Sequence, residues 1–341
     1  MKISLWLRAC FTAILLVLRI DPVVSLSSAS GSSGDVSRRE AFSIAGGAVG
    51  FGLGSGSGLY SPSLVNAADS SSASGPVAIL GASGRTGALC VTACLKRSIP
   101  VRALTRTGTW QDPTDSANTS KNSLLSVQAC DVKDPLAIEQ SVEGCRAVIY
   151  AASASKKGGN AQLIDNQAVV AAGNACLKAN VPRYVVLSST ATTRPKSAGY
   201  VFTNVFVGGN IMGEKRLGEE GVISAYSSAT SSASSYTILR PGGLEEPKEN
   251  TIQGPSSLEV SQGDTLTGII SRADLAEFTV ELALSNAPNV KNTALEVYYR
   301  DSAQPCEKRF RGLLESGGVR LHGDTYAGLL QGIEAGVDFI S

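Results

Sequence analysis

Among its 341 residues the sequence contains a single histidine, His322, and no Cys-x-x-Cys pair among its seven cysteines. Clustered imidazole and thiolate ligands are what zinc requires, so the composition does not predict a metal site. A large excess of charge of one sign is missing as well, because 30 basic residues face 29 acidic ones. Nucleic-acid binding is therefore not expected as a main role.

Long hydrophobic runs are also scarce, and the clearest one lies at the N-terminus. Residues 4–18 are mostly apolar, follow Lys2, and end shortly before small residues at 23–25. The run is too short and too poorly flanked for a membrane span. It predicts a secretory signal peptide over residues 1–25.

A second targeting segment is predicted over residues 26–67. It begins with a stretch rich in serine and glycine, and then Arg38 and Arg39 precede a mildly apolar, glycine-rich region ending at Ala67. The arginine pair resembles a twin-arginine export signal with cleavage after Ala67. The alternative is a disordered leader in which the arginine pair occurs by chance and has no targeting role.

Two export signals in series resemble the multi-part leaders of nucleus-encoded plastid proteins in algae with secondary plastids. The resemblance implies a plastid protein, with the thylakoid lumen as the address of the twin-arginine part. The leader holds five of the basic and three of the acidic residues, which leaves 25 basic and 26 acidic residues in 68–341. We expect 68–75 to be a disordered linker, and the mature chain to be soluble or peripheral, as a monomer or small oligomer.

The most informative segment is a glycine-rich turn after the apolar run 77–80. Glycines at 81, 84 and 87 permit a sharp turn and a close approach to a pyrophosphate, and a segment with helical character follows. A strand before the glycines and a helix after them is the context that supports dinucleotide binding over a ligand-free turn. The residues predicted to bind the cofactor here are Gly81, Ser83, Gly84, Arg85, Thr86 and Gly87.

Strand-like and helix-like segments alternate along the chain, which predicts an α/β, Rossmann-like doubly wound parallel sheet over residues 76–300. Ligands of such sheets bind beyond the carboxyl ends of the strands. The predicted strands are 77–80, 101–104, 124–128, 147–151 and 184–188, and the predicted helices between them are 87–97, 134–142 and 161–179.

Residues that follow the strands indicate which dinucleotide binds. Arg106 follows the second strand, where an NAD-binding fold usually has a carboxylate for the ribose 2′-hydroxyl. With Arg85 it favours the 2′-phosphate of NADP, although both arginines could simply be solvated. Asp131 and Val132, after the third strand, are placed to meet the adenine. Ala151, Ala152 and Ser153, after the fourth, are small enough for the cofactor to pass.

Taken together, these motifs resemble the atypical short-chain dehydrogenase/reductases, in particular their NmrA-like, NAD(P)H-binding branch, which is widespread in plastids. The resemblance implies a small C-terminal lobe over the cofactor. It also implies activities such as flavin, biliverdin or divinyl chlorophyllide reduction, or NADPH binding without a clear reaction. The matching segments are GASGRTG (81–87), VRALTR (101–106), YVVLSST (184–190), YTILRPGG (236–243) and ISRADLAEFTVELAL (270–284).

The sequence departs from the wider superfamily at the catalytic positions. A proton-donating tyrosine is expected four residues before a lysine that holds the ribose, but Ile211 stands four residues before Lys215. Lys215 is the predicted ribose-binding and catalytic lysine. Ser188 and Ser189 could orient a substrate carbonyl, or could only cap the fifth strand. Tyr200, Tyr226 and Tyr236 are the nearest tyrosines, and none has the expected spacing.

Two functions therefore remain. One is an NADPH-dependent reductase of a flavin-, quinone- or pigment-like substrate, which needs no proton from the enzyme. The other is a redox-silent, NADP(H)-binding sensor or assembly factor. We also expect a lid from residues 190–208, a flexible loop over 227–235, and a helical extension over 301–341 with helices at 307–315 and 324–335.

Overall fold

A computed structural model describes residues 75–113, 123–230, 233–245, 252–317 and 320–336 of the chain. The predicted signal peptide, the twin-arginine segment and nearly all of the predicted linker lie outside the described residues.

An eight-stranded sheet forms the centre of the fold, in the order β3-β2-β1-β4-β5-β6-β11-β8. All neighbours are parallel except β8, which runs antiparallel to β11. The order reverses between β1 and β4, the crevice where such sheets bind nucleotides. The strands are β1 (Val77–Leu80), β2 (Val101–Thr105), β3 (Leu125–Ala129), β4 (Ala147–Tyr150), β5 (Arg183–Leu187), β6 (Ser235–Pro241), β8 (Leu258–Ser261) and β11 (Thr293–Tyr299).

Helices cover both faces of this sheet, and each face has its own buried apolar cluster. Side chains of α1 and α6 fill one cluster, and those of α2, α3 and α5 fill the other. The predicted Rossmann-like α/β fold is therefore confirmed. The helices are α1 (Arg85–Lys96), α2 (Pro135–Val142), α3 (Ala168–Lys178), α4 (Ala198–Val207), α5 (Ile211–Ser228) and α6 (Arg272–Leu284).

Three predicted segments differ in detail from the structure. The helix predicted at 161–179 begins with a π-helical turn, Gln162–Gln167, before α3. The segment 190–208, expected as a lid, contains α4. The loop expected over 227–235 is shorter, because α5 extends to Ser228 and β6 begins at Ser235.

A small lobe adds two short two-stranded sheets, and the C-terminal tail packs against the main sheet. The tail strand β12 pairs with β9, and Leu321 pairs with Val260 of β8. Arg320 forms a two-pronged ion pair with Glu259, at 2.7 and 2.8 Å. The tail helices are shorter than predicted. The lobe and tail elements are β7 (Gly243–Glu245), β9 (Leu266–Thr267), β10 (Ile269–Ser271), β12 (Gln304–Pro305), α7 (Arg311–Ser316) and α8 (Tyr326–Leu330).

None of the helices within the described residues is both long and apolar enough to cross a bilayer.

One fully buried arginine joins the sheet, a helix and the lobe. The guanidinium of Arg240, in β6, donates to both carboxylate oxygens of Glu219 in α5, at 3.2 and 2.8 Å. It also donates to Glu296 in β11, at 3.3 Å. Asp264 is a third buried carboxylate that acts electrostatically on Arg240. Because a buried charge without a partner destabilises the folded protein, loss of any one of these groups should destabilise it through the others.

Burial in this cluster raises the pKa values of two carboxyl groups, those of Glu296 and Asp264. Burial raises the pKa of Glu296 to about 8, and the positive charge of Arg240 only partly opposes this shift. Burial likewise raises the pKa of Asp264, against Arg240 and hydrogen bonds from Ala191 and Thr193. We therefore expect Glu296 to keep its proton in the folded protein at neutral pH.

Replacing Glu296 with glutamine should remove a pH dependence of stability. The unfolded chain releases this proton near pH 4.3, whereas the folded chain holds it up to about pH 8. The wild type should therefore lose stability relative to Glu296→Gln as the pH rises from 5 to 8, by on the order of 2 kcal/mol. Urea unfolding at both pH values measures this difference.

The control for this experiment is Glu315→Gln, which changes an exposed carboxylate of α7. It should unfold like the wild type at both pH values. An equal difference between wild type and Glu296→Gln at pH 5 and pH 8 would contradict the assignment.

Candidate functional site

The glycine turn between β1 and α1 lies against the backbone at the end of β4. Gly81 has φ +83°, and a Cβ at this position would lie 2.7 Å from the backbone nitrogen of Ala152. A Cβ at Gly87 would collide with the carbonyl oxygen of Gly81. Two glycines of the motif are therefore required by the close approach of backbone to backbone.

The N-terminus of α1 has the properties that a pyrophosphate needs. N–H groups in the first turn of a helix lack intrahelical acceptors. Gly84 occupies the cap position without a side chain to bond them, and the first turn contains no acidic residue. An anion at this end of the helix is favoured by the helix dipole. The turn therefore fits a dinucleotide phosphate group.

The other residues predicted around the cofactor lie along the same edge of the sheet. Arg85 and Arg106 are exposed at the ends of the glycine turn and of β2. Asp131 follows β3 and forms an ion pair with Lys133 at 3.3 Å. Val132 packs into the core, which leaves little of its side chain for an adenine ring.

A buried aspartate, Asp165, organises the other half of the site. Its carboxylate lies 2.8 Å from Nζ of Lys215 and accepts a hydrogen bond of 2.6 Å from Ser153 Oγ. It also accepts one of 2.8 Å from the backbone N–H of Ala154. The side chain of Lys215 is 12% exposed and that of Asp165 is 0% exposed. Lys215 and Ser153, both predicted site residues, are therefore held by one carboxylate.

Close helix packing explains how Lys215 reaches Asp165. A Cβ at Gly218 of α5 would collide with the carbonyl oxygen of Asp165, and one at Gly221 would collide with Val170. Both glycines allow α5 to lie directly on the π-helical turn and α3. Lys215, nearly one turn before Gly218, is thereby placed at the carboxyl ends of β4 and β5.

Lys215 also lines a small pocket at this edge of the sheet, together with Ser188 after β5. The Ser188 hydroxyl donates to Glu219, a member of the Arg240 cluster. Ser189 Oγ donates to the carbonyl oxygen of its neighbour Thr190, at 3.2 Å. The role of both serines in orienting a carbonyl stays a prediction. The residues lining the pocket are Ala152, Asp165, Val169, Val186, Leu187, Ser188 and Lys215.

The position expected to hold a tyrosine is apolar in the structure as well as in the sequence. Ile211 is buried at the start of α5, in a cluster with Ala154, Ala191 and Met212. Tyr226 and Tyr236 lie in the core, where burial raises the pKa of Tyr226. Of the three tyrosines named from the sequence, Tyr200 alone is near, since it packs against the Ile211 cluster from α4.

Three residues in and beside the site were not predicted from the sequence: Asp165, Trp110 and Glu219. Trp110 donates from Nε1 to the carbonyl oxygen of Ala82, at 3.1 Å, and so fixes the glycine turn. Asp165 had a detectable signal, because it is the one charged residue between 161 and 177. Over the described part of the chain, no group of three His, Cys, Asp or Glu residues is arranged to hold a metal ion.

Comparison with known proteins agrees with this geometry. The model of a family described as NAD(P)H-binding matches residues 81–286, more than half of the chain. The chain belongs to the NAD(P)H-binding family. The match begins at the first glycine of the turn and includes Asp165, Lys215 and Arg240.

Two curated relatives are chloroplast proteins. An uncharacterised chloroplast protein of Arabidopsis thaliana is 27% identical over 257 residues, which cover 70% of this chain and 81% of that protein. The chloroplast protein TIC 62 of Oryza sativa subsp. japonica is 27% identical over 223 residues, covering 61% of this chain but 43% of TIC 62. These relatives confirm the predicted kinship with plastid proteins and support a plastid location.

Solved structures share the fold at low sequence identity. A putative NAD-dependent epimerase/dehydratase from Bacillus halodurans has a TM-score of 0.51 at 19% identity, covering 71% of this chain and 99% of that one. A short-chain dehydrogenase/reductase from Veillonella parvula in complex with NADP has a TM-score of 0.51 at 16% identity, covering 67% and 96%. ChuY, an anaerobillin reductase from Escherichia coli O157:H7, has a TM-score of 0.50 at 22% identity, covering 66% and 98%.

Replacing Gly87 with alanine should abolish tight NAD(P)H binding. The added Cβ would push against the Gly81 carbonyl and open the turn that meets the pyrophosphate. We expect the dissociation constant for NADPH to increase about tenfold or more in a fluorescence titration. The control Gly199→Ala adds a Cβ that meets nothing within 4 Å and should bind normally. Equal affinity of both variants would contradict the role of the turn.

The Lys215–Asp165 pair should show strong coupling in a double-mutant cycle. Asp165→Asn or Lys215→Met alone leaves a buried charge without its partner, at a cost of roughly 3 kcal/mol. The double variant should lose much less than the sum of the two single losses. Urea unfolding measures all four free energies. Additive losses would mean that the pair does not form.

Proposed function

We propose that this protein is an NADPH-dependent reductase of a flavin-, quinone- or pigment-like substrate in the plastid. The observation that carries the proposal is the position of Lys215. Its ammonium group is held by Asp165 at the carboxyl edge of the sheet, in a pocket whose remaining walls are mostly apolar. The glycine turn lies at the same edge, since Gly81 contacts Ala152, which also lines that pocket.

Each side chain has a defined task in this proposal. Asp165 fixes the direction of the Lys215 ammonium, which can then donate to ribose hydroxyls. Ser153 shares the carboxylate and keeps the end of β4 in place. The apolar residues Val169, Val186 and Leu187 exclude water from the pocket. A bound NADPH would supply the hydride.

The apolar surroundings of Ile211 limit the class of substrate. With no phenol four residues before Lys215, a substrate that needs a proton from the enzyme during hydride transfer is disfavoured. A flavin or quinone accepts the hydride with its two electrons and then takes one proton from water, which yields the dihydro product and NADP⁺. We therefore place the substrate among planar, conjugated acceptors of this kind.

Two arginines support NADPH over NADH. Arg106 follows β2 and Arg85 lies in the glycine turn, both exposed at the edge where the 2′-phosphate of the adenosine ribose would lie. An arginine can bind such a phosphate through two parallel hydrogen bonds. The NADP complex of the structurally similar Veillonella parvula reductase is compatible with this preference.

A second function, a redox-silent NADP(H) sensor or assembly factor, is favoured by one observation. The hydroxyl of Ser188 is engaged by Glu219 rather than directed to a substrate. In this case Lys215 would bind the ribose without taking part in a reaction. We further propose the thylakoid lumen as the compartment, on the basis of Arg38 and Arg39, and a monomer or small oligomer with no nucleic-acid partner.

The two functions differ in one measurable property. The protein is mixed with NADPH and, in separate assays, with FMN, FAD, a short-chain benzoquinone or biliverdin, and the nicotinamide absorbance is followed. A reductase should oxidise NADPH with one of these acceptors, and Lys215→Met should abolish that turnover. Tight NADPH binding without turnover with any acceptor would favour the sensor and contradict the reductase.

Arg106→Glu should remove the preference for NADPH. Reversing this charge removes the phosphate partner and repels the 2′-phosphate, so the ratio of NADH to NADPH dissociation constants should fall by about tenfold or more. Fluorescence titration with both nucleotides measures the ratio. The control is Arg311→Glu, at an exposed position of α7. An unchanged ratio in Arg106→Glu would refute the assignment.

A further inference from the structure

Helix α4 exposes an unusual apolar surface. None of its ten residues is buried, although seven of them are hydrophobic. Val205 is 81% exposed, and the rings of Phe202 and Phe206 stack with their centroids 5.6 Å apart. We call the four exposed residues Val201, Phe202, Val205 and Phe206 the α4 patch.

One side of α4 packs against the rest of the protein, so the α4 patch lies on the remaining, exposed side. Tyr200 and Val207 pack against the cluster around Ile211 and Met212. The α4 patch uses other positions of the helix, spaced one turn apart, and these remain exposed. Contiguous exposed apolar patches of this kind are rare on protein surfaces that have no binding partner.

One lysine contacts the α4 patch, and two more are close in the sequence to that lysine or to α4. Nζ of Lys156 lies 4.1 Å from the centroid of the Phe206 ring, and Lys157 beside it is exposed. Lys196 is exposed just before the helix begins. The segments 151–160 and 190–210 together contain four basic residues and no acidic residue. These two segments are thus positive, although residues 68–341 are nearly neutral overall.

We infer that the α4 patch docks the protein on the surface of an anionic lipid bilayer. Apolar side chains flanked by lysines are the pattern of helices that lie in the interface, with rings among the acyl chains and ammonium groups at the headgroups. The charge of the surroundings selects a negative surface over a neutral one. This binding mode requires no membrane-spanning helix, and it does not depend on whether the protein is a reductase.

A fluorescent reporter within the patch tests the proposal in the full-length chain. The predicted leader contains an apolar run that could bind lipid by itself, so the readout must be local to α4. Val205→Trp places an indole at an 81% exposed position, where no packing is lost. The matched control is Leu136→Trp, at a 68% exposed position of α2.

With vesicles of phosphatidylcholine and phosphatidylglycerol, the added emission of Val205→Trp should shift to the blue and be quenched by brominated acyl chains. That of Leu136→Trp should not change. Adding Lys156→Ala and Lys157→Ala to the reporter variant should weaken the lipid affinity of the local signal by about fivefold for each lysine. Phe202→Ser with Phe206→Ser should weaken it by about tenfold or more.

Three results would overturn the inference. One is equal quenching of Val205→Trp and Leu136→Trp. Another is equal quenching of Val205→Trp by vesicles of phosphatidylcholine alone, because charge would then not select the surface. The third is a blue shift without vesicles together with a dimer mass in sedimentation, which would assign the α4 patch to a second copy of the chain.

Discussion

The contacts between the sheet, helix α5 and the lobe depend on the ion pairs that the buried guanidinium of Arg240 forms. It lies inside the protein with Glu219, Glu296 and Asp264 around it, each from a different segment. Removing the cation would leave the Glu219 carboxylate buried without its partner, at a large cost in the free energy of folding. Glu219 of this cluster also accepts a hydrogen bond from the Ser188 hydroxyl. The cluster therefore fixes the orientation of a serine that lines the pocket.

The tyrosine expected for hydride transfer is absent from its position four residues before Lys215. The dinucleotide turn and the lysine are present and well supported by their neighbours, whereas the expected phenol is replaced by Ile211 within an apolar cluster. The Ile211 side chain itself has no proton to donate. The proposed cofactor binding therefore rests on residues that are present, whereas the proposed substrate class rests on a position that lacks a proton donor.

Local patterns were enough to predict the fold class, five of the eight strands and the glycine turn, because strand periodicity and the spacing of three glycines are encoded in adjacent residues. Asp165 and Glu219 could not be predicted with their roles. Each acquires its partner only when distant segments meet, Asp165 with Lys215 across 50 positions and Glu219 with Arg240 across 21. The π-helical turn at Gln162–Gln167 was missed because its composition is that of an ordinary helix.

Helix α5 carries Lys215 and, one turn later, Glu219. Gly218 lies between them, and because it has no side chain the helix packs directly against the backbone of Asp165. One turn of α5 is thus anchored at both ends, through Lys215 to Asp165 and through Glu219 to the buried guanidinium of Arg240. A shift of α5 that separated Lys215 from Asp165 would also strain the ion pair of Glu219 with Arg240, so the two pairs together fix the position of this helix.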